Sequence, residues 1–156
     1  MEKYESMLRE INLEIEKFNS LLAEGFKVSP LNASDPKSSR VITDVPFATV
    51  GLNSVNISPG VYALCCYRQS DSSRVGAYIG KSSSRMGSRI IPHLRPNSPT
   101  GSKYQRKDRS GELFVIEAFV ATLLSDQMRT FASALEEFII AGVGARVHLL
   151  NRIGSL

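Results

Sequence analysis

Long apolar runs are missing from this chain. A membrane-spanning helix needs roughly 18 to 20 consecutive apolar residues, and runs such as residues 138 to 141 fall far short of that. The 42% hydrophobic content still suits a folded protein, and 156 residues close one core with no room for a second large domain. Cysteine is scarce, with only Cys65 and Cys66 present. Neighbouring strand residues point to opposite faces, so these two are badly placed to bond each other, and two thiols are too few for a zinc site. Packed strand residues are the expectation. The opening residues MEKYESMLRE carry acids and lack the apolar core of a secretory signal, so a cytoplasmic address is expected. Phosphate-cradling glycine motifs are absent, and neither His93 nor His148 stands in a nucleophile-elbow context, which leaves nucleotide hydrolysis and serine-hydrolase chemistry unsupported.

Charge is present, and unevenly. The formal net charge is +4, yet residues 81 to 109 hold eight bases (Lys81, Arg85, Arg89, Arg95, Lys103, Arg106, Lys107 and Arg109) against the single acid Asp108. The remainder has eleven bases and fourteen acids. A localised positive field on a mildly acidic background points to a polyanion such as nucleic acid, because each neutralised phosphate releases counterions. A solvated basic loop is the plain alternative.

Periodicity gives an α+β order. Tyr4, Leu8, Ile11, Ile15, Phe18 and Leu22 recur at spacings of three and four, which predicts a helix over residues 2 to 24 with Gly25 as its stop. The same spacing is that of a coiled-coil seam, so a homodimer through this helix stays open beside docking on the chain's own domain. Residues 28 to 46 read as a connecting segment. GVYALCCYR (60 to 68) and RVGAYIG (74 to 80) read as a hairpin across QSDSS, and residues 112 to 124 as a further strand. Residues 126 to 142 read as a helix opened by Asp126 and closed by Gly142. The expectation is one compact domain: a small antiparallel sheet of about three strands flanked by helices, with residues 1 to 59 preceding a core from 60 to 156.

In antiparallel partners the start of one strand lies beside the end of the next, so Tyr62 of GVY and Tyr78 of YIG fall at the same end of the hairpin. Arg89 follows nine residues after Gly80 and His93 four later, while L-E-E-F-I-I carries Glu136, and Asn151 lies fifteen residues further. In these two tripeptides and in the order of the polar residues after them, residues 60 to 152 resemble the GIY-YIG nuclease superfamily. The resemblance implies that Tyr62 is the candidate base and that Tyr78 positions water or phosphate. It makes Arg89 and His93 catalytic, Glu136 the ligand of Mg²⁺ (or Mn²⁺), and Asn151 a residue that holds local structure or approaches the metal.

The residue types suit that chemistry. Phosphodiester hydrolysis needs an activated water, positive charge on the nonbridging oxygens and relief for the leaving oxygen. An arginine fork stays cationic at any working pH, and Mg²⁺ accepts one carboxylate plus phosphate. Glu137 is the rival to Glu136, but on a helical wheel Glu136 lies nearer Ile139 at the edge of the apolar face. Arg85 replaces Arg89 if the register is shifted by a turn. Pro92 interrupts the backbone before His93, so His93 shuttles a proton or binds phosphate only if the chain brings it back to the site. A phenol near pKa 10 is a poor base without cationic neighbours, and Lys81 supplies such a charge or anchors a phosphate.

The expected function is therefore a magnesium-dependent, restriction-type or phage DNA endonuclease acting on double-stranded DNA, with 95 to 109 gripping the substrate. The alternatives are a nucleic-acid-binding module whose site does not hydrolyse, and a coiled-coil adaptor.

Overall fold

A computed structural model describes residues 2–31, 39–41, 58–90 and 105–151. After a 3-10 turn at Glu2–Tyr4 come helix α1 (Glu5–Asn19), the short strand β1 (Ser39–Val41), and the long hairpin β2 (Gly60–Arg68) and β3 (Asp71–Ser82). A five-residue helix α2 (Met86–Ile90), strand β4 (Gln105–Lys107), strand β5 (Leu113–Leu123) and helix α3 (Phe131–Val143) follow. The sheet runs β1-β5-β2-β3, with β4 also on β5, and every named pair is antiparallel. Among the described residues no helix is long and apolar enough to cross a membrane.

The α+β class stands, but five strands replace the expected three or so. The two extra strands are three residues each and sit together on the outer edge of β5. Runs so short carry no alternation for a period to reveal. The hairpin turn is also tighter than QSDSS suggested: β3 begins at Asp71, which leaves Gln69 and Ser70 between the strands.

Helix α1 stops at Asn19 rather than near residue 24, because the chain turns back along it. Asn19 accepts a hydrogen bond from the Val28 N–H (2.8 Å) and donates one to the Val28 carbonyl (2.9 Å). Asn12 does the same with Leu31, at 2.7 and 2.8 Å. Val28 and Leu31 are consequently buried, so the start of the presumed linker belongs to the core. Replacing Asn12 by Ala strands both backbone groups of Leu31. We expect a loss of about 1 to 3 kcal/mol of unfolding free energy, read as a lower urea midpoint with an unchanged slope.

Two apolar clusters lie on the two faces of the sheet. The larger gathers the α1 stripe (Tyr4, Leu8, Ile11, Ile15, Phe18) with Val61, Ala63, Ile79 and the inner side of α3. The stripe that could have been a coiled-coil seam is thus packed inside its own domain. Residues before 60 and after 60 share this one core. Glu14 is buried at the α1–α3 contact, where Lys17 (2.8 Å) and Arg146 (2.5 Å) pair with it. Burial pulls its carboxyl up, but the hydrogen bonds from Lys17 and Arg146 outweigh that and hold it below the usual range. Gly142 leaves the space that the Glu14 carboxylate fills, so it lies within α3 and Gly144, at φ 52°, ends the helix. Asp126, expected as the cap of this helix, instead opens a separate 3-10 turn and pairs with Arg129 at 2.7 Å.

The smaller cluster, Tyr62, Leu64, Cys66, Met86, Phe114, Ile116, Phe119, Ala121 and Leu150, covers the other face. Cys65 and Cys66 are buried and unbridged as expected, and burial pushes the Cys65 thiol up to about 12.

Candidate active site

The hairpin register sets the site. Tyr62 lies directly opposite Gly80, and residues opposite each other in an antiparallel pair project to the same face. A side chain on Gly80 would collide with the Tyr62 ring and hydroxyl. The glycine of YIG is what allows the phenol of GVY to lie across its neighbouring strand. Gly60 has a parallel use: a Cβ there would collide with the Thr122 backbone carbonyl of β5 first, and would also come within 2.8 Å of the Met86 Cε. Met86, fully buried, therefore seats the start of α2 against β2, and its N–H donates to the Ser58 carbonyl at 3.0 Å. Arg89 comes one helical turn later.

These placements produce a cleft of about 370 Å³ lined by Tyr62, Tyr78, Gly80, Lys81, Ser88, Arg89 and Glu136. Two strands and two helices contribute. Glu136 projects from α3 and is half-buried, whereas Glu137 is exposed and absent from the lining, as the helical wheel indicated. Arg85 precedes α2, is exposed, and does not line the cleft. Lys107 and Arg109 are exposed on and beyond β4. His93, Arg95 and Lys103 lie outside the described residues. Asn151 holds local structure, since its side-chain amide accepts from the Ile79 N–H (2.8 Å) and donates to the Ile79 carbonyl (2.7 Å). With the bonds between Ala77 and the backbone of His148 and Leu150, it docks the C-terminal segment along the free edge of β3 and steadies the strand bearing Tyr78.

The expectation left Lys81 two roles, a charge acting on the phenols or a phosphate anchor. Lys81 lines the cleft but sits opposite Val61, an odd number of residues from Tyr78 and Gly80, and so projects to the α1 and α3 side of the sheet. There it acts on Glu136. Burial raises the Glu136 carboxyl above its ordinary range, Glu137 adds to that, and Lys81 and Arg89 oppose it. The phenols feel other cations. Burial pushes Tyr62 well above the usual phenol range, Tyr78 and Glu136 add to the rise, and Arg106 and Arg89 offset part of it. Tyr78 is raised too, by burial first, with Arg106 the foremost opposing charge. Burial thus works against ionisation of both phenols, the opposite of what a general base needs.

Among the described residues no three of His, Cys, Asp and Glu gather into a metal cluster. The donor set that the cleft does offer is one half-buried carboxylate with phenol oxygens beside it. That is too little for zinc or an all-protein calcium cage. It fits Mg²⁺ or Mn²⁺, which bind through one or two carboxylates together with substrate phosphate.

Sequence reasoning missed Arg106 as a neighbour of the phenols and assigned it only to the gripping loop. A signal was available: DRSG between YQRK and ELFV is a hairpin turn, with Gly111 at φ 87° and the Asp108 carboxylate accepting from the Ser110 and Glu112 amides. Comparison with known proteins adds no relative, since no family model, curated protein or solved structure matches the chain.

Proposed function

We propose that the chain is a Mg²⁺- or Mn²⁺-dependent endonuclease, of restriction type, that hydrolyses a phosphodiester of double-stranded DNA in this cleft. The observation that carries the reading is the convergence of Tyr62, Tyr78, Arg89 and Glu136 on one cleft from four separate elements. Arg89 forks two donors onto the nonbridging oxygens and stabilises charge as it develops. The two phenols hydrogen-bond phosphate or the attacking water and keep it in line. Glu136 holds the cation, which when bound supplies positive charge to the phosphate. His93 is a further candidate for the leaving-group proton. Arg85, Arg95, Lys103, Lys107 and Arg109 are the proposed grip on flanking phosphates. Pairing of two copies to cut both strands would use the outer side of α1, where Leu13 is exposed.

A second reading keeps DNA binding and drops hydrolysis. The lack of a multi-carboxylate cluster among the described residues favours it. Conversion of supercoiled plasmid separates the two. The endonuclease reading expects nicked or linear product with Mg²⁺ and none in EDTA. It also expects Arg89→Ala to slow the conversion by roughly 10² to 10³-fold, the effect of removing one donor to transition-state charge. Retardation of DNA with no conversion in Mg²⁺ or Mn²⁺ would leave the binding reading standing alone.

A further inference from the structure

The C-terminal segment occupies the outer edge of β3 as far as Ile79. Ala77 donates to the His148 carbonyl (2.9 Å) and accepts from the Leu150 N–H (2.8 Å), and Ile79 makes the equivalent pair with the Asn151 side-chain amide. Alternate residues of a strand aim their main-chain groups to the same side, and the hairpin register runs without a shift from Ala77 to Ser82. Lys81 therefore turns its N–H and carbonyl out of the edge that Ala77 and Ile79 use, one step beyond Asn151. Among the described residues nothing pairs with that N–H. The cleft lies at this spot. Tyr62 and Tyr78 come to it from the face of the smaller cluster, and Lys81 and Glu136 from the face that α3 covers, so the cleft wraps around the open edge.

The Lys81 ammonium is also without a partner among the described residues. Lys3, Lys17, Arg68, Arg74, Arg129 and Arg146 each pair with a carboxylate. Half-buried Lys81 does not: Glu136 feels its charge, yet no ion pair closes between them. A charge drawn partly out of water with no partner is costly, and an unpaired N–H at a sheet edge is a ready donor to an anion. Both donors belong to one residue that lines the cleft.

We infer that Lys81 holds the DNA phosphate with two donors at once, its main-chain N–H at the open edge of β3 and its ammonium, while Arg89 reaches the phosphate from α2. The inference rests on the reading of the cleft as a phosphate site, and it deepens that reading by giving the phosphate a fixed seat on the sheet. The plain alternative is a lysine that only balances the charge of Glu136.

Three measurements on the full chain test it, with a labelled duplex as the probe. In EDTA, binding over a series of salt concentrations gives the slope of log K against log[salt]. Lys81→Ala should lower the magnitude of that slope by about 0.9, the value of one phosphate contact on B-DNA, in the wild-type and Glu136→Gln backgrounds alike, and Lys81→Arg should retain it. In isotope-labelled wild-type protein, saturating duplex should slow solvent exchange of the Lys81 amide at least about tenfold, as a hydrogen bond to a charged group implies. In Mg²⁺, the single-turnover rate at saturating duplex should fall at least about tenfold in Lys81→Ala. A wild-type slope in folded Lys81→Ala, or a difference that vanishes in the Glu136→Gln background, would reduce Lys81 to a countercharge. Either result would overturn the inference and leave the endonuclease reading intact. Unchanged exchange of the Lys81 amide in the bound protein would overturn it too, since the main-chain donor would be idle. A lowered slope and slowed exchange in a protein that never cuts would keep the phosphate seat and remove hydrolysis. A lowered slope with a wild-type saturating rate would place Lys81 on a flanking phosphate and overturn its role in the cleft.

Discussion

Glu136→Gln is expected to abolish plasmid conversion, by roughly 10³-fold or more, while making the metal-free protein more stable at neutral pH. The first effect follows from the loss of the one carboxylate that lines the cleft among the described residues. The several kcal/mol of charge stabilisation that a bound cation supplies corresponds to about that factor. The second follows from burial, which raises the Glu136 carboxyl in the folded state, with Lys81, Glu137 and Arg89 as its charged neighbours. A raised folded-state pKa means that the folded protein binds this proton more tightly than the unfolded chain does. The group's contribution to stability is therefore present at acid pH and lost as pH rises through the raised value. Gln removes that loss. Melting curves in EDTA should place Glu136→Gln above wild type at pH 7 to 8 and show the gap closing as the pH falls toward 4. Added Mg²⁺ should raise the wild-type melting temperature and leave the variant unmoved. A variant that melts below wild type at neutral pH, or still cuts, would contradict this account of the carboxylate.

Gly80→Ala is the second large effect. Its methyl group would occupy the place of the Tyr62 ring, so the phenol must leave its position across β3. Displacement of a reacting group by about 1 Å costs on the order of 10²-fold in rate, and that is the expected loss in plasmid conversion. Global folding should survive, because alanine is tolerated in strands at least as well as glycine. Gly76→Ala supplies the comparison. It lies on the same strand but crowds the His148 carbonyl at 2.9 Å and the Phe114 ring rather than Tyr62. It should lower the melting temperature while leaving the rate per folded molecule close to wild type. Full activity in Gly80→Ala would mean that the resting place of the Tyr62 ring does not matter.

The parts legible in the sequence were those written in a repeating pattern or in a local turn. The three-and-four spacing of α1 named five of the stripe residues that lie in the core, and β-rich runs bounded by turn residues located β2, β3 and β5. The convergence of Tyr62 with Tyr78 came from hairpin geometry, and the choice of Glu136 over Glu137 from a helical wheel.

The features that escaped were set by pairing between distant residues. Asn12 and Asn19 fold the chain back on α1 through side-chain bonds to Leu31 and Val28, which leave no periodic trace. The facing of Lys81 toward Glu136 depends on which pleat it occupies. The approach of Arg106 to Tyr78 depends on the register of β4 on β5, across a sheet whose order the sequence does not spell out. The glycines of the two tripeptides were visible as residues, but their purpose, room for the Tyr62 ring at Gly80 and for the Thr122 carbonyl and Met86 at Gly60, is a matter of packing alone.

The most direct test of the cleft as a cation-assisted phosphodiester site is a crystal structure of Glu136-intact, Arg89→Ala protein with a short duplex and Mn²⁺, the arginine replaced to slow cutting. Anomalous scattering should place Mn²⁺ within ligand distance of the Glu136 carboxylate, with a backbone phosphate of the duplex between it and the Tyr62 and Tyr78 hydroxyls. Mn²⁺ bound elsewhere, or a duplex lying on the α1 side of the sheet with the cleft empty of phosphate, would contradict the account.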